Sequence, residues 1–368
     1  MRNGNTKTIC FFNTTKVWGG GEKWHYDFAL LCRDAGYGVC VVANDPSELY
    51  DRLSGHGGIT FLRTKISSLS FLNPLALLKL RRFFKRNRVD TVVMALPQDV
   101  KAGGLAARLA GVKKIIFRRG LGVPTKNTVL NRFLFKRVLT GLIINSLDTG
   151  RMVLSHNPNL MSKDNIHLVH CGFDVAEFDA MKPVVRVERR TPDEVLIGNA
   201  GRLTEQKGQR YLIQAARLLK DKGLNFRVVI AGKGELEDEL KELAKTLDVR
   251  DCVEFPGFVT DMKGFNQSLD IFALPSLFEG FCYAQVEAMV LERPVVAFNV
   301  SSIPEVVMDT ETGYLVPEKD VAAFADKLAL LINDPALRRE LGVKGRQRIL
   351  DNFTMQKTFR DFEQVINS

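Results

Sequence analysis

The feature that most constrains this chain is an alternation that runs once, breaks, and runs again. Short apolar runs occur at 9–12, 39–43, 59–62, 91–96, 115–117, 142–144 and 166–169, with amphipathic stretches such as 22–34, 75–85 and 100–109 between most of them. Runs of this length, apolar without a polar face and spaced by helical periodicity, are the pattern of parallel strands covered on both sides. A second series follows at 195–200, 226–231, 253–255, 271–274, 295–298 and 314–316, with helical patterns at 209–219 and 235–246. Residues 322–366 read as helical throughout. Between the two series, 179–194 is charged and carries Pro183 and Pro192, the composition of a linker. The expected fold class is therefore α/β, with two Rossmann-like doubly wound domains facing a central cleft: a first domain over 1–178, the linker over 179–194, a second domain over 195–350, and a last helix over 351–368 packing back toward the first. A length of 368 residues agrees, at about 150 residues per domain.

Charge narrows the partners. The chain carries a formal +10, but residues 1–183 hold 27 Lys and Arg against 13 Asp and Glu, and residues 184–368 hold 25 against 29. A basic half joined to a mildly acidic half suggests that the first half meets something anionic, such as nucleic acid, a phosphorylated acceptor or a membrane surface. No aromatic-basic readout motif accompanies the charge, and the acidic half speaks against nucleic acid. No apolar run approaches the ~18 residues of a membrane span, and Met1–Lys7 lacks the apolar core of a secretory signal. Six cysteines fall outside any C-x-x-C pair, and no His stands at zinc-site spacing, so buried thiols in a reducing cytoplasm are expected.

In doubly wound sheets, ligands bind in the turns after the strands. Five such turns carry chemistry-bearing residues. Trp18-Gly19-Gly20-Gly21-Glu22 follows the first strand and opens a helix, but position 24 is Trp, so it is no dinucleotide fingerprint. Gly201-Arg202-Leu-Thr-Glu-Gln-Lys207-Gly208 places two cations beside a helix start, an anion site that a diphosphate fits. Gly232-Lys-Gly234 also resembles a phosphate loop, but glycines between strand and helix are more commonly plain turn formers. Phe255-Pro-Gly257-Phe258 is the fourth. In the fifth, Ser276-Leu-Phe-Glu279-Gly280-Phe281, one carboxylate sits in the turn, and Glu287 lies two helical turns on. Taken singly each has a bland reading as a polar turn; together they suit a ligand with two hydroxylated ends and an anionic middle, the shape of a nucleotide sugar.

Here the sequence resembles the retaining GT-B glycosyltransferases of family 4, the glycosyl transferases group 1. The resemblance covers essentially the whole chain and is densest from Val195 to Pro317. It rests on Gly19-Gly-Gly-Glu22, Asn145-Ser146, Cys171-Gly-Phe-Asp174, Gly201-Arg-Leu-x3-Lys207-Gly208, Phe255-x-Gly257, Ser276-x2-Glu279-Gly-Phe-x5-Glu287-Ala, and the stretches around Arg293–Val307 and Thr312–Pro317. It implies that Arg202 and Lys207 hold the donor diphosphate, that Glu287 binds the ribose, and that Glu279 with the backbone of Gly280 and Phe281 meets the sugar. The base would lie near Phe258 and Val259, and Gly20 and Gly21 would approach the phosphates from the first domain. Glu279, Arg202 and Lys207 are then the expected catalytic set. No metal or other cofactor is implied, and no D-x-D motif stands at a strand end. Many relatives carry a His where Arg118 and Arg119 stand here; either arginine would take its place. With Glu22 and Asp99, these two are the candidates on the acceptor side.

The acceptor is expected to be a saccharide or lipid-linked intermediate, as in lipopolysaccharide core or cell-surface polysaccharide synthesis. A helix predicted from Asn73 and Pro74 presents Lys79, Arg82 and Arg86 on one face, which would suit the anionic inner surface of the plasma membrane for a cytoplasmic, peripheral enzyme. The alternatives are a non-catalytic sugar-nucleotide or membrane-binding protein and a GT-B nucleotide-sugar epimerase. The epimerases should show acid/base histidines in the matched turns, and none of the five His lies there.

Overall fold

The structure is a computed structural model that describes residues 6–368. The chain divides into two compact units, one running to Cys171 and taking in Thr358–Ser368, the other spanning Gly172–Lys357.

The first unit holds a seven-stranded parallel sheet. Its strands are β1 (Thr8–Asn13), β2 (Gly38–Asn44), β3 (Ile59–Thr64), β4 (Thr91–Met94), β5 (Lys114–Arg119), β6 (Gly141–Ile144) and β7 (Ile166–Leu168), in the order β3-β2-β1-β4-β5-β6-β7. The run Thr-Ile-Cys-Phe-Phe-Asn is buried at every position because β1 is flanked by β2 and β4 and covered on both faces. One face packs Phe12, Val92, Ile115 and Leu142 against Leu80 and Phe84 of the helix Pro74–Arg86. On the other, Phe11 stacks against Phe362 of the terminal helix, which also packs edge-on against Phe28. The helix Pro74–Arg86 begins as its sequence predicts: the Asn73 side chain accepts from the Leu75 and Ala76 N–H groups, and Pro74 takes the first turn. Lys79, Arg82 and Arg86 are exposed.

The second unit holds a six-stranded parallel sheet, β8 (Val195–Ala200), β9 (Phe226–Ala231), β10 (Val253–Gly257), β11 (Ile271–Leu274), β12 (Val295–Phe298) and β13 (Gly313–Val316), in the order β10-β9-β8-β11-β12-β13. Helix Gln209–Asp221 covers one face through Leu212, Ile213, Ala216 and Leu219. Helix Tyr283–Val290 covers the other through Val286 and Met289. Each sheet thus reverses its strand order once, at β1/β4 and at β8/β11. A crevice forms beyond the carboxyl ends of the strands at such a reversal, where the loops diverge to opposite faces.

Three features differ from the sequence reading. The first unit ends at Cys171 rather than 178: Phe173 exchanges backbone hydrogen bonds with Phe353 and Met355, and Val175 and Phe178 enter the second unit's core. The stretch 179–194 is charged because it lies on a surface. It is fastened to the second unit, with the Val184 and Val185 N–H groups on Asp261 and Arg189 paired with Asp270. The C-terminal stretch expected to be helical throughout forms three helices, Val321–Asn333, Pro335–Asn352 and Met355–Asn367. Asp334 breaks the first two by capping the Leu337 N–H ahead of Pro335, and the third passes from the second unit into the first at Thr358.

All six cysteines are buried thiols. No helix among the described residues is long and apolar enough to cross a membrane.

Candidate active site

At the β8/β11 reversal, two loops meet at a single glycine. Gly208 adopts φ +63°, and a Cβ there would stand 2.0 Å from the Pro275 carbonyl oxygen, so only glycine lets the loop after β8 touch the loop after β11. That contact sets Lys207 beside Glu279, Nζ to Oε1 at 2.7 Å, with both side chains largely buried. Burial alone would lower the lysine's pKa, but the neighbouring Cys282 and Glu279, the latter also by its hydrogen bond, carry it above its ordinary value. The ammonium is therefore a fixed positive charge at the end of the strands. The Glu279 backbone is held in turn, its carbonyl accepting from Ser302 Oγ at 3.1 Å.

Beside this pair lies a cavity of about 500 Å³. Gly201 and Arg202 border it from the loop after β8, Phe258 and Val259 from the loop after β10, and Glu287 from the helix Tyr283–Val290. The Arg202 guanidinium is exposed and makes no hydrogen bond among the described residues. Phe258 presents a ring that is 69% exposed. Glu287 lacks a cation or donor among the described residues, and burial raises its carboxyl to about 7. An unpaired carboxylate partly withdrawn from water at a cavity wall is costly, and a ligand that donates hydrogen bonds to it would offset that cost. Six of the expected donor residues thus come together in this unit, with Gly280 and Phe281 in the turn after Glu279. The Gly232-x-Gly turn has a packing explanation: Cβ atoms at Gly232 and Gly234 would stand 1.9 Å and 2.2 Å from the carbonyl oxygens of Gly201 and Leu203.

The β1/β4 reversal of the first unit has another character. Thr14, just after β1, donates to Asp99 Oδ1 at 2.5 Å and accepts from Gln98 Nε2 at 2.8 Å, while the Leu96 N–H donates to Asp99 Oδ2 at 2.9 Å. Asp99 is fully buried, and that burial, only partly offset by these donors, raises its pKa to about 7. Asn13 donates to Glu22 at 3.1 Å. Gly20 and Gly21 open the helix Gly20–Asp34, and a Cβ at either would meet nothing within 4 Å. The fold therefore gives no local reason for glycine at these two positions.

The two candidate arginines part company. Arg118 is 5% exposed, lies 4.5 Å over the Trp24 ring and donates to Cys171 Sγ. It sits near His25, whose pKa is lowered to about 3 by burial and then by Arg118. Arg119 points elsewhere, into a second cavity of about 300 Å³ lined in part by Pro97, Lys101, Phe117 and Lys126. Sequence reasoning missed Thr14, His25, Lys101 and Lys126. Thr14 had a signal, as the residue after a strand in the first unit, but the others are assembled only by packing.

Comparison with known proteins bears on the family and the fold. The family described as Glycosyltransferase Family 4 matches residues 18–177, and Glycosyl transferases group 1 matches residues 183–348. The capsular polysaccharide biosynthesis glycosyltransferase CapM of Staphylococcus aureus is 28% identical over 348 residues, 90% of each chain. Among solved structures, a glycosyltransferase from Rickettsia africae superposes with a TM-score of 0.83 at 18% identity, covering 99% of this chain and 98% of that one. HepE of Anabaena, in complex with UDP, superposes with a TM-score of 0.81 at 18% identity over 98% of this chain and 99% of its own. With its two parallel sheets, the fold is GT-B. On these matches, the chain belongs to the group 1 glycosyltransferases.

Proposed function

We propose that this enzyme moves a hexose-type sugar from a nucleoside diphosphate sugar to a saccharide or lipid-linked acceptor, with retention at the anomeric carbon and without a metal, in the synthesis of a cell-surface polysaccharide. The observation that carries the reading is the array around the second unit's cavity: the Lys207–Glu279 pair, Arg202 without a partner among the described residues, and Glu287 and the exposed Phe258 on the same cavity wall. The base stacks near Phe258 and Val259, the ribose hydroxyls donate to Glu287, and the diphosphate lies between Arg202 and Lys207. Glu279 and the turn through Gly280 and Phe281 meet the sugar. Support for a uridine nucleotide comes from the UDP bound by HepE, and for the pathway from CapM.

The anomeric carbon–oxygen bond to the diphosphate breaks, and the acceptor hydroxyl oxygen bonds to the same face of that carbon. The hydroxyl proton passes to the departing diphosphate. Charge accumulates on the leaving group, so Arg202 and Lys207 provide the principal stabilisation, worth about 3 kcal/mol for one such group. Exposed Lys79, Arg82 and Arg86 hold the protein to the anionic inner face of the membrane, in a cytoplasmic, peripheral location.

The test is thermal stabilisation by UDP, GDP, ADP and TDP, with and without EDTA, for the wild type and Glu287→Ala. A ligand at 100 times its Kd should add about 2.7 kcal/mol. The expected result is stabilisation by one diphosphate, indifferent to EDTA and largely lost in the variant. If none stabilises the protein, the donor site is wrongly assigned and a non-catalytic reading takes its place.

A further inference from the structure

The second cavity, in the first unit, has a composition that the donor chemistry does not use. It opens beyond the carboxyl end of β5, and Phe117, Leu134 and Phe135 give it apolar walls. Among the described residues, three cations border it, Lys101, Arg119 and Lys126, and no carboxylate does. Arg119 is the one set into the wall. Its guanidinium lies 5.4 Å from the centre of the Phe117 ring, one amino group donates to the Val123 carbonyl at 3.1 Å, and Nε is buried with no hydrogen-bond partner. A buried guanidinium donor left unmatched costs free energy that an anion in the cavity would recover. Desolvation also pulls the Arg119 pKa below its ordinary value, the direction expected of a cation lacking its counter-charge.

The rim continues this pattern. Val123 lines the cavity and is itself 47% exposed, and the short helix Val129–Phe133, which supplies Asn131 to the lining, leaves Val129 74% and Phe133 49% exposed. Arg132, Lys136 and Arg137 follow on the same segment. A purely saccharide ligand would call for hydrogen-bonding walls, and a free inorganic anion would not call for the phenylalanines. Apolar walls, cations at the mouth and an apolar rim match an amphiphile whose phosphate joins a hydrocarbon chain.

The geometry points to this cavity as the site for the phosphate and first carbons of a lipid-linked acceptor, with Arg119 binding the phosphate, Lys126 assisting it, and the remaining chain leaving over Val123, Val129 and Phe133 toward the membrane. The inference rests on the transferase reading and narrows its acceptor to a lipid phosphate or diphosphate. Arg119 is a binding residue in this account, and Arg118, stacked on Trp24, is not part of the cavity.

The experiment is calorimetric titration of the full chain with decyl phosphate below its micelle threshold, beside decanol and inorganic phosphate. Decyl phosphate should bind, and the other two should bind at least tenfold more weakly. Arg119→Gln and Lys126→Gln should each weaken decyl phosphate, the first by tenfold or more, while stabilisation by the nucleoside diphosphate stays as in the wild type. Equal binding of inorganic phosphate would reduce the site to a simple anion pocket and overturn the proposal. Binding of decanol as tightly as decyl phosphate, or unchanged affinity in Arg119→Gln, would overturn it too. If Arg119→Gln fails to fold, the exposed Lys126 decides: no loss in Lys126→Gln rejects the site. Loss of nucleotide binding in the wild type would instead count against the donor assignment, so the two failures are distinguishable.

Discussion

The two strand-order reversals share a topology and differ in chemistry. At β8/β11, two loops are joined by a buried ion pair, Lys207 with Glu279, and Arg202, unpaired among the described residues, stands beside it. At β1/β4, the buried carboxyl of Asp99 has hydroxyl and amide donors and no ion-pair partner among the described residues. The first arrangement holds permanent positive charge where an anion must be stabilised. The second holds a carboxyl that gains or loses its proton near neutrality. Topology thus decides where a crevice forms, and the loop residues decide whether it binds charge or exchanges protons.

The largest test of this contrast removes the cation. Lys207→Ala should lower kcat/KM for the nucleotide-sugar donor about 100-fold, the scale of losing one group that stabilises a leaving charge. It also leaves Glu279 buried without its partner. A loss below tenfold would take Lys207 out of the catalytic set.

The next perturbs the loop contact. Gly208→Ala should destabilise the protein in a denaturant titration by roughly 1–3 kcal/mol of forced repacking, beyond the left-handed backbone penalty of about 1–2 kcal/mol. Gly36→Ala, at φ +88° with nothing within 4 Å of the added Cβ, should show only the backbone penalty. Equal losses at the two positions would mean that the loops are free to separate.

Protonation sharpens the comparison further. Glu287 has a folded pKa raised to about 7, so a ribose that donates to its carboxylate should bind more tightly as pH rises through 7. Titrating the stabilising nucleoside diphosphate from pH 6 to 8 should show that rise in the wild type, and Glu287→Gln should flatten it. Parallel profiles for the two proteins would remove Glu287 from the ribose site.

The remaining test is at Asp99, where pH-dependence and not activity is read. Its pKa is raised from 3.8 to about 7 on folding, so the folded state binds the proton more tightly than the unfolded state. The stability it contributes is full below about pH 4 and is lost as pH climbs through 7. Asp99→Asn should make unfolding free energy decline less steeply over that window. A steeper decline would mean that the carboxyl is ionised in the fold, with a cation the structure does not place beside it.

Much of the fold was legible because it rests on local pattern. β1 and β11 read as strands since burial on both faces demands unbroken apolar runs, Thr8–Asn13 and Ile271–Leu274. The cap at Asn73 was legible for the same local reason. The unit boundary was not, because a charged, proline-bearing stretch marks a surface loop whether or not it separates domains, and Arg189 and Asp261 tie this one down. Nor was the division between Arg118 and Arg119. Adjacent residues on a strand point to opposite faces, and which face holds Trp24 and which a cavity is set by packing.

The sequence by itself determined the order of strands and helices and the residue types in each turn, since these follow from periodicity and backbone preference over a few residues. Only the tertiary structure decided which turns meet. Lys207 and Glu279 are 72 residues apart, and Thr14 and Asp99 are 85 apart. Each pair forms because the sheet reverses its strand order beside it, a choice made by the packing of whole helices on the two faces rather than by any segment alone.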